Sequence, residues 1–331
     1  MSDVATALRW RWLVVPGILL VAVAGGWLFR QLFGSGPPAP AACPNYTLLT
    51  QRLTGSSWDI FGLDPQTGVE ANLTAMAGDD TTPAWNPAPD RANFAFVSRR
   101  DGNAEIYRLD CGELGATSLV RVTTHPDEDI DPAWSGDNRL AFASNRLRVD
   151  GQPRYTIFRS RDSGGELTQV SPNGACDARQ PAWSPDGSSI AYAADCNSAG
   201  RYQIYVIPRN GGTPVQITDD PLLLAAQPTW SPDGSLIAFA RYESGPEHAR
   251  IWVMGPDGSG KRQLRPGSTD NEFDPRWTPD GSEVTFVMYT GGTNLDVYAF
   301  EPTLGADGNA NGTLRQVTSS SRDDRAPDWV R

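Results

Sequence analysis

The chain has 331 residues, 39% hydrophobic and 20% charged, which is enough apolar material for a substantial core and too much for a disordered polymer. A net charge of -11, from 28 Lys and Arg against 39 Asp and Glu, argues against nucleic acid as a partner, because the average surface repels a polyanion. The 2 histidines, His125 and His248, leave little for a histidine-rich metal site or an imidazole acid–base pair, whereas 33 Gly, 27 Pro and 11 Trp point to short strands joined by tight turns.

Residues 1–12 read as a short cytoplasmic tail, and residues 13–33 as a membrane anchor. Leu13 to Phe29 is a continuous apolar run preceded by Arg9 and Arg11. At the helical rise it spans roughly 25 Å, and Leu32 and Phe33 extend it toward the bilayer core of about 30 Å. Trp10, Trp12 and Trp27 fall where indoles prefer the headgroup level, and the two leading arginines favour an inside N-terminus. The competing reading is a signal peptide cleaved after Ala22-Val23-Ala24. Both readings place the remainder outside the cytoplasm. Residues 34–45 form a Pro/Gly/Ala-rich linker, and all four cysteines, Cys43, Cys111, Cys176 and Cys196, lie beyond the apolar run, as an oxidising compartment requires.

From residue 46 onward the sequence repeats. Trp85, Trp134, Trp183, Trp230, Trp277 and Trp329 are separated by 49, 49, 47, 47 and 52 residues, the period of a propeller or solenoid. Each follows Pro-x, and three lead into Ser/Thr-Pro-Asp-Gly, at Ser184 to Gly187, Ser231 to Gly234 and Thr278 to Gly281. There Pro fixes φ, Asp bonds back to the backbone and Gly takes the positive φ, closing a hairpin. Apolar second strands are expected at Phe94 to Ser98, Leu140 to Ser144, Ile190 to Ala194, Ile237 to Arg241 and Val284 to Met288, each followed by a polar turn. Third strands are expected at Glu105 to Leu109, Tyr155 to Arg159, Gln203 to Ile207, Arg250 to Met254 and Asp296 to Phe300. A more polar fourth strand ends at or near Thr, as at Gln216 to Thr218 and Gln316 to Thr318. Four strands per period make one propeller blade.

Before Trp85 the chain offers Tyr46 to Gln51, Asp59 to Leu63 and Ala71 to Thr74, three strands lacking a first. After Thr318 it offers only Pro327 to Val330, a first strand lacking the rest. The expected fold is therefore all-β: a six-bladed β-propeller of four-stranded blades over residues 46–331, closed by the C-terminal strand and preceded by one N-terminal transmembrane helix. The tryptophans read as filler between blades. In this arrangement Cys176 and Cys196 share one rim and are expected to pair, and Cys43 and Cys111 share the other.

The Pro-x-Trp-Ser-Pro-Asp-Gly boxes, together with Ser98-Arg99-Arg100-Asp101-Gly102-Asn103-Ala104-Glu105-Ile106-Tyr107, resemble the repeats of the TolB-like propeller family over residues 46–331. Asn86 to Asp90 and Ser135 to Asn138 are looser versions of the box. The resemblance implies the propeller, and it leaves the function open. Such repeats serve as binding scaffolds, as the periplasmic component of the Tol system and as gating propellers of prolyl-oligopeptidase-like peptidases. The additional N-terminal α/β domain of the Tol component has no counterpart in this chain, which carries the apolar segment and linker instead.

Catalytic motifs are few. Gly255 to Lys261 has the spacing of a phosphate-binding loop, but Arg262 stands where Mg²⁺ chemistry needs Ser or Thr, so it reads as a strand-to-strand turn. No Gly-x-Ser-x-Gly elbow occurs. His125, before Pro126, reads as a surface residue. The recurring feature is acidic residues in the loops entering the first strands: Asp79 and Asp80; Asp127, Glu128, Asp129 and Asp131; Asp177; Asp219 and Asp220; Asp270, Glu272 and Asp274; Asp323 and Asp324. They read either as turn formers or as an acidic funnel that attracts a cationic segment of a partner or holds Ca²⁺. Asp131, Gln180, Gln227 and Asp274, immediately before Pro-x-Trp, are expected nearest the axis, and with Asp129 and Asp80 they are the candidate binding residues. Leu222, Leu223 and Leu224 break the pattern, as a partner patch or as packing.

Two functions stay open. One is a membrane-anchored extracytoplasmic scaffold that binds protein or peptide, with no cofactor required. The alternative is a propeller lyase or hydrolase acting on polysaccharide through paired acids such as Asp131 and Asp274.

Overall fold

A computed structural model describes residues 46–330 except 90, 112–116, 150, 173–175, 197–199, 244–247, 290–293 and 305–309. The expected tail, anchor and linker, and with them Cys43 and its pairing, lie outside the described residues. Among the described residues no helix is long and apolar enough to cross a membrane.

Six four-stranded antiparallel sheets form a six-bladed propeller. Blade 1 contains β1 (Leu48–Thr54), β2 (Ser57–Leu63) and β3 (Glu70–Asn72), and its innermost strand is β24 (Asp324–Trp329), which pairs with β1 and closes the ring. Blade 2 runs from β4 (Asp80–Trp85) to β7 (Thr117–Arg121), and blade 3 from β8 (Asp129–Trp134) to β11 (Thr168–Gln169). Blade 4 runs from β12 (Asp177–Trp183) to β15 (Val215–Gln216), blade 5 from β16 (Leu224–Trp230) to β19 (Arg262–Gln263), and blade 6 from β20 (Glu272–Trp277) to β23 (Ala310–Gln316).

In blade 1 the second strand, β1, carries Thr50, Gln51 and Arg52. In blades 2 to 6 the second strand is largely buried on both faces, so its sequence reads as a nearly continuous apolar run. Large and small side chains alternate in it, and the two faces meet different neighbours. Phe94 and Phe96 pack with Tyr46, Leu49 and Ile60 of blade 1, whereas Ala95 and Val97 pack with Trp134, Leu140 and Phe142 of blade 3. The same division recurs at Ala141 and Ala143 against Trp183, at Ala191 and Ala193 against Trp230, and at Ala238 and Ala240 against Trp277. Each alanine face is thus the seat for the next blade's indole. The Nε1 of Trp183 donates to Ala133 O and that of Trp230 to Ala182 O, both at 3.2 Å, which fixes the ring orientations. The tryptophans are core filler, as expected.

The fourth strands stop before the Thr that the sequence suggested they include. That residue leaves the ladder and its hydroxyl accepts an N–H of the third strand: Ile60 to Thr74, Ile106 to Thr123, Ile204 to Thr218 and Val297 to Thr318, at 2.8–2.9 Å. Ser171 does the same for Ile157. Two hairpins are longer than the expected strands, β9 (Arg139–Val149) with β10 (Gln152–Arg161), and β22 (Leu295–Leu304) with β23. Cys176 and Cys196 are disulfide-bonded.

Candidate functional site: the propeller axis

Every innermost strand carries one extra residue just before its Pro. Thr82 and Pro83 stand opposite Phe96 alone, Asp131 and Pro132 opposite Phe142, and Gln180 and Pro181 opposite Tyr192. Blades 5, 6 and 1 repeat the shift at Gln227, Asp274 and Ala326. Proline lacks a donor and therefore suits a bulge. The residue before it ordinarily stays extended, yet all six have a positive φ, between 46 and 57°. A non-glycine residue held there carries strain on the order of 1 kcal/mol or more, so the contacts around it must compensate.

Those contacts form a necklace around the axis. At five of the six junctions a side chain of one blade accepts the N–H of the next blade's bulge residue. Asp131 Oδ2 accepts from Gln180 at 3.1 Å, Gln180 Oε1 from Gln227 at 3.0 Å, and Gln227 Oε1 from Asp274 at 3.1 Å. Asp274 in turn accepts the Ala326 N–H. Ala326 has no acceptor to offer, and Gln51 of the neighbouring β1 replaces it, its Oε1 taking the Thr82 N–H at 2.8 Å. The Thr82 hydroxyl is buried without a partner, so the necklace is open between blades 2 and 3.

The bulge residues line an axial recess of about 70 Å³. The structure therefore brings Asp131, Gln180, Gln227 and Asp274 together on the axis. Burial pushes the Asp131 carboxyl above its ordinary value, with the Asp274 charge adding to the rise against the Gln180 N–H and Arg179. Asp274 is also raised, by burial first, with Arg276 opposing.

Asp80 and Asp129 sit elsewhere, at the outer ends of β4 and β8, both fully buried in ion pairs. Nη2 of Arg100 bridges both Asp80 oxygens at 2.9 and 3.0 Å, and Nη2 of Arg146 bridges both Asp129 oxygens at 2.9 Å. Asp324 is held by Arg52 at 2.6 Å and Glu272 by Arg265 at 2.6 Å. Each arginine also lies over an aromatic ring: Arg100 over Tyr107, Arg146 over Phe158, Arg52 over Phe61 and Arg265 over Phe286. The more exposed loop acids are paired as well, Asp127 with Arg148, Asp177 with Arg179, Asp220 with Arg241, Asp270 with Arg265 and Asp323 with Arg325. The repeated acids are thus mostly paired with arginines, whereas Asp131 and Asp274 make no ion pair among the described residues and feel Arg179, Arg276 and Arg325 only as nearby charges. Among the described residues no three His, Cys, Asp or Glu side chains converge in a metal-holding group.

Sequence reasoning missed these arginines. The available signal was Ser-x-Arg at the end of two second strands, Ser98 to Arg100 and Ser144 to Arg146, where the serine also accepts from the guanidinium Nε.

At the other end of the innermost strands the channel widens to a cavity of about 370 Å³ lined by the Pro-x-Trp units. Its charged lining residues are Arg276 and Asp328, 3.5 Å apart, and Asp328 accepts the Trp85 N–H at 2.5 Å. Leu222 is 76% exposed, whereas Leu223 and Leu224 turn inward, so the apolar run divides between the two readings. The Gly255 to Lys261 segment is a turn between the third and fourth strands of blade 5, with Gly258 N–H bonded to Gly255 O.

Among known proteins, the family described as TolB beta propeller domain matches residues 59–193 and 122–329. The chain is similar to an uncharacterized protein of Agrobacterium fabrum, Atu1656, with 31% identity over 142 residues, 41% of this chain and 46% of that protein. The match thus spans less than half of that relative's length. In structure it is similar to TolB from Acinetobacter baumannii, with a TM-score of 0.67 at 19% identity over 91% of this chain and 69% of that chain. It is also similar to an oligogalacturonate lyase from Vibrio parahaemolyticus, with a TM-score of 0.52 at 17% identity over 81% and 73%. At these identities the structural likeness is one of fold.

Proposed function

This chain belongs to the TolB β-propeller domain family, and on that premise we propose that it is a binding module, anchored outside the cytoplasm through residues 13–33, that receives a segment of a protein or peptide at the propeller axis. The observation that carries the reading is the axial recess. It gathers Asp131 and Asp274 from opposite sides of the ring, beside a Thr82 hydroxyl that has no partner. A partner with a cationic or N–H-rich segment complements that chemistry, and the concentration of carboxyl character there makes the contact sensitive to salt.

The polysaccharide enzyme reading uses the same two carboxyls. The binding reading is preferred because the family that matches is that of the TolB propeller, while the likeness to the oligogalacturonate lyase is one of fold. A pull-down with the full-length chain from detergent-solubilised membranes, at low and high salt, tests the proposal. The expected result is a partner released by salt and lost on Asp131→Asn/Asp274→Asn, a change that keeps the oxygen acceptors and removes the charge. Unchanged capture by the double variant would overturn it.

A further inference from the structure

The third residue before the inner-strand proline is Asp80, Asp129, Glu272 or Asp324 in four blades, and each of these acids is buried against an arginine. In blades 4 and 5 the position is alanine, Ala178 and Ala225. Blade 4 compensates covalently. Ala178 pairs with Ala194, and two residues on, where blades 2 and 3 carry Arg100 and Arg146, stands Cys196, bonded to Cys176.

Blade 5 keeps the arginine and omits the acid. Arg241, in β17 (Ile237–Tyr242), pairs directly with Ala225, just as Arg52 pairs with Asp324 in blade 1. Where Arg52 finds a carboxylate, Arg241 finds a methyl group and a cavity of about 130 Å³. That is close to the roughly 150 Å³ cavity that accepts benzene. The Arg241 guanidinium stacks 4.4 Å over the Trp252 ring, and its Nη2 reaches Asp220 at 2.8 Å. Its Nε and Nη1 make no hydrogen bond among the described residues.

Two further groups of the cavity lining are buried and unsatisfied, Trp252 Nε1 and Gln203 Oε1. Gln203 is 8% exposed, and its amide nitrogen is fixed by Asp220 O and Leu223 O, so the free oxygen is held in place. Buried polar groups of this kind are ordinarily satisfied, and an unpaired donor together with an unpaired acceptor in one cavity marks a missing partner. Leu223, Leu224 and Phe239 supply the apolar wall.

We propose that this cavity binds a carboxylate with an N–H on the adjacent carbon and an apolar side chain, the chemistry shared by a free apolar amino acid and the C-terminus of a peptide. The carboxylate takes the place of the missing inner-strand acid, meeting the free guanidinium donors and Trp252 Nε1. The N–H meets Gln203 Oε1, and the side chain packs on the leucines. The site shares no lining residue with the axial recess, so each can fail without the other.

Isothermal titration calorimetry on the full-length chain with L-leucine, N-acetyl-L-leucine and N-acetyl-L-leucinamide tests it. Binding of leucine identifies a free amino acid as the source, and binding of the acetylated acid alone identifies a peptide terminus. In both cases the amide, which lacks the charge, should bind at least about tenfold more weakly. Ala225→Asp rebuilds the blade 1 pair inside blade 5, so it should fold and abolish binding. Arg241→Gln, checked for an unchanged circular dichroism spectrum, should weaken binding by about tenfold or more. No heat with either acid at millimolar concentration, equal binding of the amide, or binding undiminished by Ala225→Asp overturns the proposal.

Discussion

Removing Asp129 tests the buried ion pairs most directly. In Asp129→Ala the Arg146 side chain, 13% exposed, loses the carboxylate that met its Nη2 twice at 2.9 Å, and it remains between Phe142 and Phe158 with its centre 5.8 and 4.9 Å from their rings. Water cannot replace the lost acceptor without opening the blade, so the charge stays buried and uncompensated. Breaking one partner of such a pair costs about 3–5 kcal/mol. At about 2–4 °C per kcal/mol for a domain of this size, the melting temperature should fall by about 6–20 °C. Asp129→Leu/Arg146→Met removes both charges, keeps apolar volume and should recover most of the loss. Thermal and urea unfolding followed by tryptophan fluorescence measure all three proteins. A single-variant loss under about 1 kcal/mol, the range of an exposed pair, would refute the reasoning. So would a double variant no more stable than Asp129→Ala.

Two other outcomes are expected. Because the Asp131 and Asp274 carboxyls are raised in the folded chain, their contribution to stability is fully present below the ordinary value of 3.8 and is lost as pH rises through the folded value. Asp131→Asn/Asp274→Asn should therefore unfold at higher urea than the parent at neutral pH, with the difference closing as pH falls toward 3.8; a gap that widens in acid would contradict the assigned burial. The Cys176–Cys196 bond closes a segment of 20 residues, so Cys176→Ser/Cys196→Ser should lose about 3 kcal/mol in urea unfolding. A reductant should lower the parent by more than it lowers the variant, which keeps the disulfide of Cys111.

The blade count and ring closure were legible because they rest on local chemistry repeated six times. A Pro-x-Trp unit must end an innermost strand, and three tight turns announce themselves by Pro-Asp-Gly. Strand ends were less legible. Thr218 has a strand-like sequence, yet β15 stops at Gln216 and the Thr218 hydroxyl accepts the Ile204 N–H. Arg146 to Val149 looked like a polar turn, but it extends a hairpin because the strands project past the blade.

At the site, the sequence placed Asp131, Gln180, Gln227 and Asp274 on the axis because the register of Pro-x-Trp brings them there. It gave Asp80 and Asp129 the same standing, since an acid read alone carries no sign of its arginine. Arg100 lies 20 residues from Asp80, across a hairpin, and only the sheet register joins them. The blade 5 cavity was hidden for a related reason: Ala225 is unremarkable until the acids of the other blades are set beside it.

The pairing of β24 with β1 also gives the molecule a clock. Arg52 and Asp324 are 272 positions apart, so the inner strand of the blade they complete is synthesised after the other five blades. Five blades can form in order as the polypeptide emerges, but the ring remains a horseshoe with β1 unpaired on its inner edge until Asp324 to Trp329 arrive. During that interval the exposed strand can recruit another copy or a chaperone. A nascent chain cut short anywhere upstream of Asp324 never leaves that state, so β24 works as a check that all six blades have been translated.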